Sequence, residues 1–175
     1  MTELDRAVLA RRDRAGGRSV LGLFSGGSLA HEALTILETA LGPIAGNVSG
    51  HEEAVDGHRI LDLGEEEYTQ GRPHPMVDLD LRRSMLEDAA GDPRIGCVLI
   101  DVVLGHGAHP DPAGELAPAV AHAGHGALVI ARVCGTGDDP QDARAQTATL
   151  ERAGAIVAPS NAAAARLAVR AVKDA

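Results

Sequence analysis

One four-residue segment combines the features of an anion-binding turn. Ser25, Gly26, Gly27 and Ser28, here named the glycine turn, follow an apolar run and precede a run of helical period. Two glycines let the backbone turn sharply and present its N–H groups where the helix dipole adds positive charge. We predict that this turn binds phosphate or carboxylate. The motif alone, which matches neither GxGxxG nor GxxxxGKS/T, favours the alternative of a tight turn capped by Ser28.

A second candidate is a glycine-rich loop after the third predicted strand. Asp101, Gly105 and Gly107 are predicted to contact substrate, and His106 or His109 to act as hydrogen-bond donor or general acid near neutral pH. Two histidines and an acid could also suggest a metal. We predict no metal site, because the histidines straddle a glycine without a fixed helical spacing and no third ligand is evident. A solvated glycine-proline loop is the alternative.

A third candidate is the segment 64–77, which is too long for an ordinary connection between elements. Its Arg72 and His74, held between prolines, would offer positive charge to an anionic ligand in an otherwise acidic protein. We therefore predict that both bind substrate. The alternative is a structural lid in which Arg72 pairs with the acidic run 65–67.

The loop after the fourth predicted strand reaches the same edge of the sheet. Gly135 and Thr136 are predicted substrate contacts there, whereas Cys134 lacks an evident base and is interpreted as an inert thiol. The histidines of the segment 121–126 precede that strand and are interpreted as a helix end and turn.

The elements that must position these residues alternate between apolar runs and stretches of helical period. The predicted strands are 19–24, 58–63, 95–104, 127–133 and 155–158. Most of them are apolar throughout, as in parallel strands buried on both faces. We predict an α/β, doubly wound, flavodoxin-like sheet of about five strands in the order 2-1-3-4-5, with helices on both faces. Ligands of such sheets bind beyond the carboxyl ends of the strands where the strand order reverses.

The helix boundaries are predicted from capping residues. Asp111-Pro112 and Asp139-Pro140 each place a capping acid before a proline at the first helical position, Ser160 can cap the last helix, and Gly154 fits a helix stop. Residues 1–17 are predicted as a helical lead-in, either frayed or packed on a partner, and residues 18–175 as one domain.

Composition limits the function classes. The 175 residues carry a formal net charge of −9, which makes nucleic acid an unfavourable partner. Aromatic residues make up 1% of the chain, so a base-stacking platform is almost excluded. No apolar run approaches the ~20 residues of a membrane span, and we expect a cytoplasmic protein. Cys97 and Cys134 lack a disulfide or CxxC pattern and are predicted to be buried free thiols.

Four motifs in this order and spacing resemble the carboxyl-terminal ligase domain of the FdrA family, a branch of the acyl-CoA synthetase and succinyl-CoA ligase superfamily. They are GLFSGGSLAHEA, ILDLGEEEYTQGRPHPMVD, VLIDVVLGHGAHPDPAG and RVCGTGDDPQ. The resemblance runs from about Arg18 to the end of the chain. It implies a flavodoxin-like CoA-ligase domain over 18–175, in which Gly26, Gly27 and Ser28 correspond to the helix N-terminus that faces a phosphorylated histidine in succinyl-CoA ligases.

The chain departs from the succinyl-CoA ligases in three respects. Those enzymes carry the phosphorylated histidine in a GHAGA motif after the fourth strand, whereas GTGDDPQDARAQTATLERAG has no histidine. Their acid after the third strand has no counterpart in residues 102–104. Family members also carry a CoA-binding domain and a further ligase-like domain, so we expect a split subunit or a fragment that works with another chain.

Three functions are compatible with these features. The first is a subunit in acyl-CoA or acyl-phosphate ligase chemistry, with CoA, phosphate or a nucleotide as substrates of the complex and no tightly bound cofactor. The second, implied by the FdrA resemblance, is carbamoyl transfer with carbamoyl phosphate and oxamate in purine or ureide breakdown. The third is a structural or regulatory domain that has lost the chemistry. The expected partners are a second copy or a separate CoA-binding or ligase chain, together with a small anionic substrate.

Overall fold

A computed structural model describes residues 1–51, 53 and 55–173. Its strands are β1 (Ser19–Phe24), β2 (Arg59–Asp62), β3 (Ile95–Val103), β4 (Leu128–Cys134) and β5 (Ile156–Val157). All neighbouring pairs are parallel, and the order is β2-β1-β3-β4-β5. The predicted doubly wound sheet and its strand order are confirmed.

Helices cover both faces of this sheet. They are α1 (Glu3–Ala15), α2 (Gly27–Leu41), α3 (Glu66–Thr69), α4 (Asp80–Gly91), α5 (Pro112–Ala123), α6 (Ala143–Arg152) and α7 (Asn161–Val172), with a 3₁₀ turn at Val55–Gly57. One apolar layer joins α1, α2 and α7 to the sheet, and the other joins α4, α5 and α6. Aliphatic side chains fill both layers, and Phe24 is fully buried in the first. None of the helices in the described part of the chain is long and apolar enough to cross a membrane.

Helix α1 is part of this packing. Thr2 and Asp5 form a reciprocal capping box, with backbone-to-side-chain bonds of 2.7 and 3.1 Å. Val8 is fully buried in the layer shared with α2 and α7. Arg170 of α7 lies 3.1 Å from the Asp5 carboxylate. The helix therefore packs on its own domain, which differs from the frayed or partner-bound helix expected from the sequence.

The predicted caps are confirmed at two helices and wrong at a third. Asp111 caps α5 before Pro112, and Ser160 caps α7. Helix α6 begins after Asp142, not after Asp139. The reason is that the Asp139 carboxylate accepts the Thr136 N–H at 2.6 Å and closes the preceding turn. This leaves Asp142, at a φ of 54°, to accept the Arg144 N–H at 2.9 Å.

The strand register brings the candidate loops to one edge of the sheet. Phe24 at the end of β1 is aligned with Asp62 at the end of β2, and Leu23 is aligned with Ile100 of β3. The next residues, Ser25 and Asp101, therefore meet where the strand order of the sheet reverses. We call this carboxyl-terminal edge of β2, β1 and β3 the switch edge.

Candidate functional site

The glycine turn starts helix α2 without a side-chain cap. Gly26 occupies the N-cap position with extended backbone angles, and its carbonyl accepts the Ala30 N–H at 3.3 Å. The segment is a tight strand-to-helix turn, but Ser28 is exposed and does not cap the helix, so the predicted capping is wrong. Within the described residues, the N–H groups of Gly26, Gly27 and Ser28 donate to no protein acceptor. The turn thus presents free donors at the positive end of a 15-residue helix.

Ser25 is held from inside the protein by Asp101. The Ser25 N–H donates to Asp101 Oδ1 at 2.9 Å, and its hydroxyl donates to Oδ2 at 2.7 Å. Asp101 is predicted above to contact substrate, but it lies within β3 and is fully buried. Both of its carboxylate oxygens accept hydrogen bonds from Ser25. Its position fits a role in fixing the start of the glycine turn.

Arg82 of α4 supplies the positive charge beside Asp101. Its Nη1 donates to the Asp101 carbonyl oxygen at 2.6 Å and lies 3.3 Å from Oδ1. Burial lowers the pKa of Arg82, and the carboxylates of Asp101 and Asp62 oppose that shift. Nε and Nη2 are buried and have no hydrogen-bond partner among the described residues. Sequence reasoning missed Arg82, although its spacing of four and seven residues from Leu86 and Ala89 places it on the buried face of α4.

Asp62 is a second buried acid at the switch edge, and it was also missed. Asn47 Oδ1 accepts the Asp62 N–H at 2.9 Å, and Asn47 Nδ2 donates to the Asp62 carbonyl oxygen at 2.8 Å. Asp62 Oδ1 accepts the Gly64 N–H at 2.8 Å. A Cβ placed on Gly27 would lie 3.2 Å from Asp62 Oδ2. This carboxylate therefore borders the glycine turn. The available signal was an acid ending an apolar run, which is too common to be informative.

His74 approaches the same place from the long loop. A Cβ placed on Gly64 would lie 2.9 Å from His74 Nε2, 3.0 Å from the Ser25 carbonyl oxygen and 3.1 Å from Asp62 Oδ1. His74 is exposed, and its Nδ1 accepts the Met76 N–H at 3.3 Å. The structure thus brings His74 and the glycine turn together around Gly64.

Arg72 lies on a different part of the long loop. It is exposed and lines a cavity of about 310 Å³ together with Tyr68 and Asp78. Among the described residues no ion pair joins Arg72 to the acidic run 65–67. The expected lid pairing is therefore not observed.

The loop carrying His106 and His109 is braced by a residue that the sequence did not single out. The buried Gln141 side chain accepts the Gly105 N–H at 3.1 Å and donates to the Gly105 and His109 carbonyl oxygens at 2.9 and 3.1 Å. Positive φ angles of 130° and 86° explain the glycines at 105 and 107.

The two histidines of this loop differ in their surroundings. His106 is exposed and makes no side-chain hydrogen bond within the described residues. His109 is half-buried: its N–H donates to the Met76 carbonyl oxygen at 2.8 Å, and its Nδ1 accepts the Asp111 N–H at 3.2 Å. The His109 loop therefore docks on the loop that carries His74. No hydrogen bond between described residues joins either histidine to the glycine turn.

Gly135 and Thr136 form a turn closed by Asp139. A Cβ placed on Gly135 would lie 2.7 Å from the Leu104 Cβ, so the glycine allows close packing against the end of β3. Both cysteines are free, but Cys134 is only half-buried, unlike the prediction. Burial raises the pKa of the Cys134 thiol and that of Cys97, which fits inert thiols.

The opposite, amino-terminal edge of the sheet holds other cavities. One of about 250 Å³ lies beside His125, and one of about 450 Å³ lies beside His58. His122 lies in the last turn of α5 and His125 follows in the turn after it, as predicted. Among residues 1–51, 53 and 55–173, no group of three or more histidine, cysteine or acidic side chains could hold a metal.

Comparison with known proteins places these residues in a wider context. A family model described as CoA-ligase matches residues 23–171, a range that includes the glycine turn, Asp62, Arg82 and Asp101. The uncharacterized protein YahF of Escherichia coli (strain K12) is 34% identical over 156 residues. The match covers 81% of this chain and 30% of YahF, so the chain spans less than a third of that relative's length.

Proposed function

This chain belongs to the CoA-ligase family, and on that premise we propose that it is an FdrA-like, succinyl-CoA ligase-like subunit or domain that binds a phosphoryl or carboxylate group at the glycine turn. The observation that carries the proposal is the set of free N–H groups at Gly26, Gly27 and Ser28. Phosphoryl transfer depends mainly on positioning and on charge stabilisation. Backbone donors that are already oriented provide both without rearrangement.

Buried neighbours would keep these donors oriented. Asp101 accepts hydrogen bonds from the N–H and hydroxyl of Ser25, and Arg82 donates to Asp101. The first residue of the glycine turn is therefore fixed by buried side chains. The next three N–H groups are left for a ligand. His74, near Gly64, would contribute a hydrogen bond from the solvent side.

Other parts of the reaction would come from a partner. The segment after β4 has no histidine, so the chain itself would not carry a phosphorylated histidine. CoA, phosphate or a nucleotide would be substrates of the complex, with no tightly bound cofactor. The partner would be a second copy or a separate CoA-binding or ligase chain in the cytoplasm.

Calorimetry on the purified chain tests the proposal. Phosphate, CoA and nucleotide are titrated separately into the wild type, the Gly27→Val variant and the Gly91→Ala control, whose added Cβ meets nothing within 4 Å. We expect phosphate to bind the wild type and the control, and to bind Gly27→Val at least roughly tenfold more weakly, since the new side chain would occupy the space beside Asp62. Absence of binding by all three ligands would contradict the proposal.

A further inference from the structure

Asp62 is held rigidly at the lip of the glycine turn. It is 3% exposed, and its backbone forms two hydrogen bonds with the Asn47 side chain. Its Oδ1 accepts the Gly64 N–H. Its Oδ2 accepts no hydrogen bond from any described residue. Oδ2 is not one of the fully buried side-chain atoms that lack a partner, so it reaches solvent at the edge of this otherwise buried residue. An incoming ligand could satisfy it.

This oxygen lies beside the glycine turn. Only 3.2 Å would separate Oδ2 from a Cβ on Gly27, so a group bound at the Gly27 and Ser28 N–H groups would contact Asp62. The ligand would then face backbone donors on one side and a carboxylate acceptor on the other. Such a site suits an anion that can also donate a hydrogen bond.

The surrounding charges strengthen this requirement. Arg82 faces two carboxylates, Asp101 and Asp62, which leaves one excess negative charge among these three buried groups. Two histidines are also near. His31 Nδ1 would lie 3.7 Å from a Cβ on Gly27, but it is hydrogen-bonded to the Gly27 carbonyl oxygen at 2.8 Å. His74 is separated from Asp62 by Gly64, whose added Cβ would contact both side chains. A fully deprotonated oxyanion would therefore be repelled by Asp62, because like charges at close range disfavour binding.

We propose that Asp62 makes the glycine turn selective for oxyanions that carry a proton, so that inorganic phosphate binds and sulfate is rejected. Phosphate retains a P–OH group at neutral pH and can donate to Oδ2, whereas sulfate has no proton to donate. This inference rests on the proposed function, since it concerns the same anion site. It defines the ligand as a hydrogen-bond-donating oxyanion and makes Asp62 its specificity determinant.

Calorimetric titration of the full chain with phosphate and with sulfate at neutral pH tests the inference. We expect phosphate to bind the wild type at least roughly tenfold more tightly than sulfate, because sulfate would place an unprotonated oxygen against the Asp62 carboxylate. Asp62→Asn should keep the oxygen that accepts the Gly64 N–H but offer an amide donor, so the preference should shrink to about threefold or reverse. Asp88→Asn, an exposed acid on α4, is the matched control and should preserve the preference.

Arsenate and selenate provide a second pair of probes that needs no variant. Arsenate carries a proton at neutral pH and selenate does not, so the wild type should prefer arsenate. Equal binding of the paired anions by the wild type, or an unchanged preference in a folded Asp62→Asn variant, would overturn the inference and leave the anion site standing. Failure of every anion to bind would overturn the inference and the proposed function together.

Discussion

Arg82 and Asp101 form an ion pair inside the switch edge, and Arg82 has two nitrogens without described partners. Desolvation of such a pair offsets much of its attraction, but removal of one member leaves an uncompensated buried charge. We expect Arg82→Met to lower the free energy of unfolding by about 3–5 kcal/mol. Urea denaturation measures this loss.

The double variant Arg82→Met/Asp101→Asn is the control for that prediction. Removal of both charges should recover most of the lost stability, because asparagine can still accept the Ser25 N–H. If the double variant is as unstable as Arg82→Met, the ion pair does not account for the loss.

His58 is a buried histidine whose Nδ1 accepts the Val20 N–H at 3.1 Å. Burial lowers the pKa of His58, and the nearby Asp56 carboxylate partly opposes that shift. Below the ordinary pKa of about 6.5 the unfolded chain therefore binds more protons than the folded chain, so stability falls as the pH falls. Protonation also removes the Val20 hydrogen bond, worth ~1 kcal/mol.

Thermal unfolding at pH 7.5 and pH 5.5 tests this dependence. The His58→Asn variant keeps an acceptor for Val20 but does not titrate. Between the two pH values its Tm should fall less than the wild-type Tm, and the two falls should differ by about 2–4 °C. Equal falls in both proteins would show that His58 does not cause the acid sensitivity.

Single residues were predictable from the sequence only where their neighbours along the chain define their role. The glycine turn could be located because two glycines between a strand and a helix carry a local meaning. Asp62, Asp101 and Arg82 come together through strand register and through the packing of α4, so their contacts could not be inferred from local patterns. Sequence reasoning therefore assigned Asp101 to substrate and missed the other two.

Helix α2 has free N–H groups at its start and no acidic residue in its first turn. Ser28→Asp would place a carboxylate at this end, where the helix dipole stabilises negative charge by ~0.3–1 kcal/mol. We expect this variant to be as stable as the wild type or more so, yet to bind phosphate at least roughly tenfold more weakly because of the resident charge. Thermal unfolding and calorimetry measure the two effects separately.

Thr35→Asp serves as the matched control, since it adds the same charge to an exposed position two turns along α2. Phosphate affinity should change little in this variant. Equal weakening in both variants would indicate a long-range charge effect and would argue against a site at the glycine turn.

Elements were predicted well where periodicity and caps agree. The five strands and the caps of α5 and α7 follow from apolar runs and from Asp111 and Ser160. The start of α6 was wrong because Asp139 uses its carboxylate in a local turn, a choice that depends on the position of Thr136. The packing of α1 depends on a tertiary contact of Val8, which amphipathic character alone does not specify.

At the scale of the whole molecule, the strand order followed from the α/β alternation and from the handedness of crossovers. Assembly does not follow from the fold of one chain. The proposed pairing with a second copy predicts self-association at micromolar concentration. Because each copy carries a formal charge of −9, salt should screen repulsion and increase the associated fraction.

Light scattering between about 20 and 300 mM salt measures this association, since the Debye length shortens across that range and reaches ~10 Å near 100 mM. A chain that remains monomeric across this range would exclude self-association and favour a separate partner chain.

The most direct measurement of anion binding is an NMR titration of the ¹⁵N-labelled full chain with inorganic phosphate. We predict saturable shifts of the backbone amide resonances of Gly26, Gly27 and Ser28, all with one Kd, and little change at Gly91. Shifts confined to Arg72 or His58, or no shift at the glycine turn at millimolar phosphate, would contradict the claim that this turn is the anion site.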